Sequence, residues 1–334
     1  MFKFWSLILE PVLRSIAARQ IIEIGVADGE CTQLLLEYCR NVKGRLDYID
    51  PAQEFDLALF QQRYGAVGNF HQCTSLEALP RLQAADAVLI DGDHNWYTVF
   101  NELKLLETCA NNSGSGFPLV FFHDVGWPYG RRDLYYAPER LPSEYLLPHA
   151  QKGMVPGVTE LVDEGGLNPQ FYNNALLEGG ARNGVLTAVE DFIQESTIGT
   201  LYVIPILSGL GILVPERLQR NEALMAEIHQ WQSNSGLKTL LDFLERERIN
   251  EICSAHADLV AQERATAGWQ QEATRLQGEL ERLSASWQQE YTRLQDELQG
   301  RLQAILASRS WRWTRPLRGL IVCSRSLVQR WKGS

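Results

Sequence analysis

"IIEIGVADGECT", residues 21–32, is the stretch that decides the fold. A β-branched run carrying Glu23 breaks at Gly25, a short turn reaches Gly29, and an apolar-periodic stretch, "CTQLLLEYCR", follows as a helix would. Glycines in such a strand–turn–helix let backbone N–H groups approach a nucleotide-like ligand closely. A nicotinamide cofactor would want G-x-G-x-x-G; here the middle position is Ala27 and no third glycine follows at Thr32, so the spacing favours another cofactor.

The pattern recurs along the chain. Short β-rich runs, "IIEIG" (21–25), "RLDYID" (45–50), "NFHQC" (69–73), "AVLID" (87–91) and "PLVFFHD" (118–124), are separated by helix-like segments such as "WYTVFNELKLLETCA". This βαβα alternation implies an α/β fold with a doubly wound parallel sheet. Right-handed crossovers put every strand's C-terminal end on one edge, where ligands bind. Glu23, Asp50, Asp91 and Asp124 fall at such ends. Residues 126–183, rich in Gly, Pro and Tyr, form a long insertion of the kind that serves as a lid or substrate loop. "NGVLTAVEDFIQES" (183–196) reads as a helix capped by Asn183, and two strands around "SGLG" close the sheet near residue 214.

Bulk properties narrow the class. The 334 residues can hold one large domain plus an appendage, or two modest domains, and 45% hydrophobic content is ordinary for a folded core. Six cysteines without a C-x-x-C pair favour a reducing compartment and argue against structural zinc. The opening "MFKFWSLILEPVLRS" is interrupted by Glu10, Pro11 and Arg14, which makes it an amphipathic helix rather than a signal peptide. The expected location is cytoplasmic.

The "VLIDGDHNWY" stretch (88–97) carries Asp91, Asp93 and His94 at a strand end. Taken alone, D-G-D is a common turn, and Asp93 would serve as a cap for the helix beginning near Asn95. "FFHD" adds His123 and Asp124 at a second strand end on the same edge, a coincidence that a cap does not explain.

E-x-G-x-x-x-G, the acidic strand-two end at Asp50 and "IDGDH", in that order, resemble the class I S-adenosylmethionine-dependent methyltransferases over roughly residues 15–214. More narrowly they resemble the D-G-D-H branch, which includes sugar and macrolide O-methyltransferases. The resemblance implies a seven-stranded Rossmann-like sheet. It gives Gly25, Ala27 and Gly29 the cofactor's amino-acid end, with Glu23 supporting the loop. Asp50 would accept from the ribose hydroxyls, Ser75 would contact the adenine side, and Asp91 would border the cofactor. Ala27 departs from the usual glycine and requires its own allowed φ. The alternative role of Glu23 and Asp50 is in caps and turns.

Catechol-type O-methyltransferases are similar at these strand ends. By that similarity Asp91, His123 and Asp124 hold a divalent metal and His94 is the base, a role that an ordinary imidazole pKa near 6.5 suits. Magnesium prefers oxygen ligands, so His123 leaves the choice open between Mg²⁺ and another divalent metal such as manganese or iron; the alternative is that His123 points at the substrate. Trp96, Tyr97 and Trp127 read as packing or pocket walls. Arg131 and Arg132 either grip an anionic or sugar acceptor or lie solvated on the surface.

Beyond Glu216 the composition changes. "WQQEATRLQGEL" (269–280) and "WQQEYTRLQDEL" (287–298) agree at ten of twelve positions, offset by eighteen, about five helical turns. Leu276, Leu280, Leu283, Trp287, Tyr291, Leu294, Leu298, Leu302 and Ile305 follow a 4-3-4 spacing. A long helix or coiled coil with a homo-oligomeric or protein partner through 255–306 is expected; a lone helix supported by its charged flanks is the alternative. From Arg301 to Ser334 there are eight Arg or Lys and no acid, so the rest of the chain carries −18 and the whole −10. The tail 307–334 interleaves Arg with Trp and aliphatics, as an interfacial helix on an anionic inner-membrane surface does. Its core is similar to tails of bacterial polysaccharide-assembly proteins. The strongly acidic body argues against nucleic acid.

The expected organisation is therefore a methyltransferase domain over 1–215, including the 126–183 insertion, a helical segment over 216–306 and the tail. The expected function is S-adenosylmethionine-dependent O-methyl transfer, divalent-metal assisted, to a sugar hydroxyl of a surface glycan or glycosylated metabolite. Two alternatives stand beside it: an inactive methyltransferase-fold scaffold in polysaccharide assembly, and a hydroxylase-like relative of the same fold.

Overall fold

The structure, a computed structural model, describes residues 1–170, 172–232 and 235–314. Two compact units divide at residue 260. The first is built on a seven-stranded sheet. In chain order its strands are β1 (Gln20–Ile24), β2 (Arg45–Ile49), β3 (Gly68–His71), β4 (Ala87–Ile90), β5 (Leu119–His123), then, after three short strands of the insertion, β9 (Gly199–Ile204) and β10 (Leu210–Pro215). The order across the sheet is β3-β2-β1-β4-β5-β10-β9, with the first five parallel and β10 antiparallel to both its neighbours. This is the expected Rossmann-like sheet, closed by the predicted hairpin.

Side-chain alternation divides the interior into two layers. Ile21, Leu46, Ala87, Leu89, Leu119 and Phe121 pack on one face, while Ile22, Ile49, Val88, Ile90, Val120 and Phe122 pack on the other. The first face is covered by an irregular N-terminal helical stretch ending in α1 (Glu10–Ser15) and by α2 (Glu30–Val42), flanked by α3 (Leu57–Tyr64). The second face holds α4 (Ser75–Ala78), α5 (Trp96–Ser113) and α6 (Val185–Ser196). Counting on by two residues, Glu23, Asp91 and His123 share the first face. Because β4 and β5 pair Leu89 with Phe121, Asp91 and His123 emerge side by side.

The insertion is more ordered than its composition implied. Strands β6 (Leu134–Tyr135), β7 (His149–Ala150) and β8 (Asn173–Ala175) form a small sheet in the order β6-β8-β7. Arg132, expected either to grip a substrate or to lie solvated, is fully buried and donates to the Ala175 and Thr159 carbonyls. Arg131 forks onto Glu190 of α6 at 2.6 and 2.8 Å. Asn183 is not a helix cap: Gly184 holds that position without a side-chain cap. Asn183 accepts from the Asp133 amide and donates to Leu177 and Gly179, tying the insertion together.

The first unit continues past residue 215 to Val260. The reason is burial: α7 (Glu222–Gln232) seats Leu224 and Ile228 in the first layer, and α8 (Ser235–Ala307) buries Glu245 and Ile249 near its start. In the second unit the predicted long helix is present, with the stripe Leu276 to Ile305 exposed; Leu280 and Trp287, for example, are 69% and 73% exposed. Arg275, Arg293 and Arg301 pair with glutamates one turn away. A short α9 (Arg309–Trp313) follows, capped by Ser308. The rest of the basic tail, residues 315–334, lies outside the described residues. Among the described residues no helix is long and apolar enough to cross a membrane.

Candidate active site at the sheet's switch point

Strand order reverses between β1 and β4, so their outgoing loops flank the crevice where doubly wound sheets bind ligands. Gly25 has φ +83°, and a Cβ there would lie 2.1 Å from the Asp91 carbonyl oxygen. Only glycine lets the two loops approach this closely. Ala27 adopts φ +47°, so the departure noted in the sequence is accommodated by left-handed backbone, at a cost of roughly 1–2 kcal/mol. Gly29, also left-handed, opens α2.

Asp50 braces this loop. One oxygen accepts from the Val26 and Ala27 amides at 2.9 and 3.1 Å, and the other from Ala52 at 2.7 Å. Three of a carboxylate's roughly four acceptor positions are thus committed to backbone. The turn-holding role is the one on view. Ser75, expected at the adenine side, is 7% exposed and lies beside the buried carboxyl of Glu102.

Glu23 is 2% exposed on the apolar first face, and burial lifts its pKa to about 8 against the weaker opposing pull of Thr32 and Cys31. The folded value exceeds the unfolded one, so the protonated form is favoured by folding. The associated stability is full below about pH 4 and is lost as pH rises towards 8. Glu23→Gln removes that loss and is expected to raise the melting temperature relative to wild type by several degrees at pH 8.5, with much less effect at pH 4.5. Parallel thermal melts at the two pH values check it.

Four side chains converge at the ends of β4 and β5. Ligand-type atoms of Asp91, His94, His123 and Asp124 all lie within 4.8 Å of one another. His123 Nδ1 is 2.8 Å from Asp124 Oδ2 and 3.3 Å from Asp91 Oδ1; His94 Nε2 is 2.8 Å from Asp124 Oδ2 and 3.7 Å from Asp91 Oδ1. The Met1 ammonium also reaches Asp91, at 2.9 Å. Asp124 takes φ +58°, a left-handed conformation rare for a non-glycine residue and costing of order 1–3 kcal/mol.

Burial opposes charge on every member, yet mutual attraction wins. Burial alone would raise both aspartates, but the two imidazoles hold Asp91 and Asp124 well below the usual carboxylate range. In return, against the lowering by burial, Asp124 and Asp91 lift His94 to about 10 and His123 to about 9. Sequence alone assigned His94 an ordinary imidazole pKa; beside two carboxylates it is instead held protonated. His94 Nε2 is buried and, despite its proximity to Asp124, makes no aligned hydrogen bond, while Nδ1 faces the Tyr136 hydroxyl at 3.4 Å. The carboxylates of Asp91 and Asp124 with the imidazole of His123 form a donor set that suits a divalent transition metal, with His94 beside it.

Asp93, read in the sequence as the cap of α5, does not hold that position. It accepts from Thr98 Oγ1 at 3.1 Å, whereas Asn95 caps α5 by accepting from the Thr98 amide. Asp133, which sequence reading missed, accepts from the amides of Trp96 and Gly184 and from the Tyr135 hydroxyl, locking the insertion to the start of α5.

A cavity of about 270 Å³ opens from His94 and Asp124, walled by Trp127, Tyr129, Tyr136, Tyr172, Ser208 and Arg248 among others. Trp127 is a pocket wall, as expected, and its indole N–H is buried without a partner. Trp96 instead stacks on Phe100 and Tyr145, and Tyr97 packs against Tyr145. The tyrosines were missed because nothing in a Tyr-rich insertion says which rings turn inward.

Residues 22–125, which carry β1 to β5 and the crevice between the β1 and β4 loops, match the family model described as a methyltransferase domain. That match covers less than half of the chain. No curated protein matches its sequence significantly. Among solved structures, a methyltransferase from Podospora anserina bound to S-adenosylhomocysteine is similar at 13% identity, covering 62% of this chain and 76% of that one with a TM-score of 0.36. The 1,6-didemethyltoxoflavin-N1-methyltransferase of Burkholderia thailandensis is similar at 12% identity, covering 61% and 76%, with a TM-score of 0.32.

Proposed function

We propose that the protein transfers the methyl group of S-adenosylmethionine to a hydroxyl of a sugar, on a surface glycan or a glycosylated metabolite, with assistance from a divalent metal. The observation that carries this reading is the Asp91, His94, His123 and Asp124 cluster at the floor of a ring-lined cavity. Aromatic walls suit the apolar faces of a sugar ring, and the buried Trp127 N–H offers a hydroxyl an acceptor-seeking donor.

In this reading the loop of Gly25, Ala27 and Gly29 receives the cofactor's amino-acid end, supported by Glu23, while Asp50, which braces the loop through three backbone amides, turns its remaining acceptor position to the ribose hydroxyls, with Asp91 at the border and Ser75 towards the adenine. Asp91, His123 and Asp124 hold the cation. A bound divalent ion supplies a Lewis acid that lowers the acceptor hydroxyl's pKa and orients it. His94, which shares the cavity with Asp124, takes the proton at Nε2 as the hydroxyl oxygen attacks the methyl carbon and the sulfonium sulfur leaves as a thioether. The walls hold the oxygen in line and exclude water.

Charge balance supports the metal. Two carboxylates now face two imidazolium ions and the Met1 ammonium; a dication in exchange for the two imidazolium protons leaves the cluster's net charge unchanged and frees His94 to act as a base. Mn²⁺ added at pH 7 is therefore expected to release about two protons, read by titration in weak buffer. A chelator is expected to abolish transfer and Mn²⁺ or Fe²⁺ to restore it. Activity indifferent to chelator would leave His94 working without a metal.

The first test is calorimetric titration with S-adenosylhomocysteine. One-site binding lost in Asp50→Ala supports the cofactor assignment, and no binding by folded protein favours the inactive scaffold. The two-histidine, two-carboxylate set also favours a second reading, an iron-dependent hydroxylase on the same fold, for which an oxygen-dependent hydroxylated product is the test. The exposed stripe of α8 is proposed to bind a second copy or a partner protein, and the basic tail an anionic membrane surface.

A further inference from the structure

The start of α8 reaches into the site from a part of the chain that sequence reading assigned to a separate segment. The turn between β9 and β10 places three successive residues in left-handed conformation, Leu207 (φ +53°), Ser208 (φ +66°) and Gly209 (φ +86°). Two of them are not glycine, so the turn stores strain of order 1–3 kcal/mol per residue unless something fixes it. Successive amides in such a turn point together and form a concavity that binds an anion. Glu245 of α8 fills it: its two oxygens accept from the Leu207 and Ser208 amides at 2.8 and 2.7 Å. Arg248, one turn on, donates to the same carboxylate through Nε and Nη2 at 2.8 and 2.6 Å.

The turn in turn touches the metal cluster's own strand exit. Ser208 accepts from the Gly126 amide at 2.7 Å, two residues beyond Asp124. The fit is tight, since a Cβ on Gly209 would lie 2.5 Å from the Gly126 nitrogen. Meanwhile Arg248, Ile249 and Ile252 form one wall of the cavity whose floor is His94 and Asp124.

We propose that Glu245 is a positioning residue for the acceptor site, latching α8 onto the strained 207–209 turn and, through Ser208 and Gly126, holding Asp124 in its left-handed conformation beside His94. The helical extension is by this account part of the catalytic unit, not an appendage to it. The proposal rests on the metal reading given above.

The test uses the full chain, with Mn²⁺ alone as the probe for the cluster and S-adenosylhomocysteine as the probe for the cofactor loop. Glu245→Ala is expected to weaken Mn²⁺ binding about tenfold while S-adenosylhomocysteine affinity stays within about twofold, a split that a general loss of stability would not produce. Glu245→Gln, which keeps the side-chain volume and one acceptor oxygen, is expected to fall between, and it carries the test if the alanine variant does not fold. Amide exchange should quicken at 207–209 and 125–126 in both. Wild-type Mn²⁺ affinity in a folded Glu245→Ala protein overturns the latch. If wild type itself binds no Mn²⁺, the metal reading fails, and the exchange data decide alone: protection unchanged at 125–126 overturns the coupling, and protection lost there upholds it.

Discussion

His94→Ala is expected to reduce methyl transfer by about 10²- to 10⁴-fold, the range associated with losing a positioned acid or base, while S-adenosylhomocysteine binding remains near wild type and the melting temperature falls because buried Asp124 loses a charge partner. The separation of effects follows from the site's layout. His94 contacts Asp124 and Asp91 and faces the cavity, whereas the Gly25 to Gly29 loop is held by Asp50 and the end of β2. Removing the imidazole leaves two carboxylates facing one histidine and the Met1 ammonium, and takes away the proposed proton acceptor. Asp91→Asn is expected to act in the same direction by a different route, since it weakens the cation's hold. Transfer would be followed by S-adenosylhomocysteine release with an acceptor chosen from a panel of glycosides, vicinal diols and phenols turned over by wild type. Turnover at the wild-type rate in either variant would remove these residues from the chemistry.

Gly25→Ala is expected to cost about 3–4 kcal/mol and to abolish cofactor binding. The added methyl would sit 2.1 Å from the Asp91 carbonyl oxygen, which is backbone and has nowhere to retreat, and φ +83° is itself unfavourable for alanine. Gly29→Ala serves as the contrast. Its Cβ would meet the end of the Phe60 ring at 2.9 Å, and a ring can turn aside. Urea melts and S-adenosylhomocysteine titration of both variants give the comparison, and equal losses would mean that the crossing of the β1 and β4 loops is not what demands glycine at 25.

Several elements were legible before any coordinates because their signals are local. A strand breaking at glycine and running into a helix, repeated down the chain, specifies parallel βαβ units, and handedness then places Asp50, Asp91 and Asp124 on one edge. The same reasoning placed His123 with them, since "FFHD" lies at a strand end. The 73-residue α8 was legible from its period and its internal repeat. What could not be read was anything set by contact between distant segments. Arg132 looks like a surface or substrate-gripping cation in sequence and is a buried pin for two carbonyls. Asn183 looks like a cap and is a cross-link of the insertion. Glu245 looks like one more acid on a charged helix and fills an amide concavity some forty residues back in the chain.

The sequence by itself determined the order of strands and helices along the chain, the sheet edge at which Asp50, Asp91, His123 and Asp124 arrive, and their residue types, because periodicity, glycine breaks and chain handedness act over short spans. Only the tertiary structure decided the ionisation of the histidines, the walls of the cavity and the reach of α8 into it. Those depend on distances between charges and on what is excluded from water, and neither is encoded until distant segments pack together.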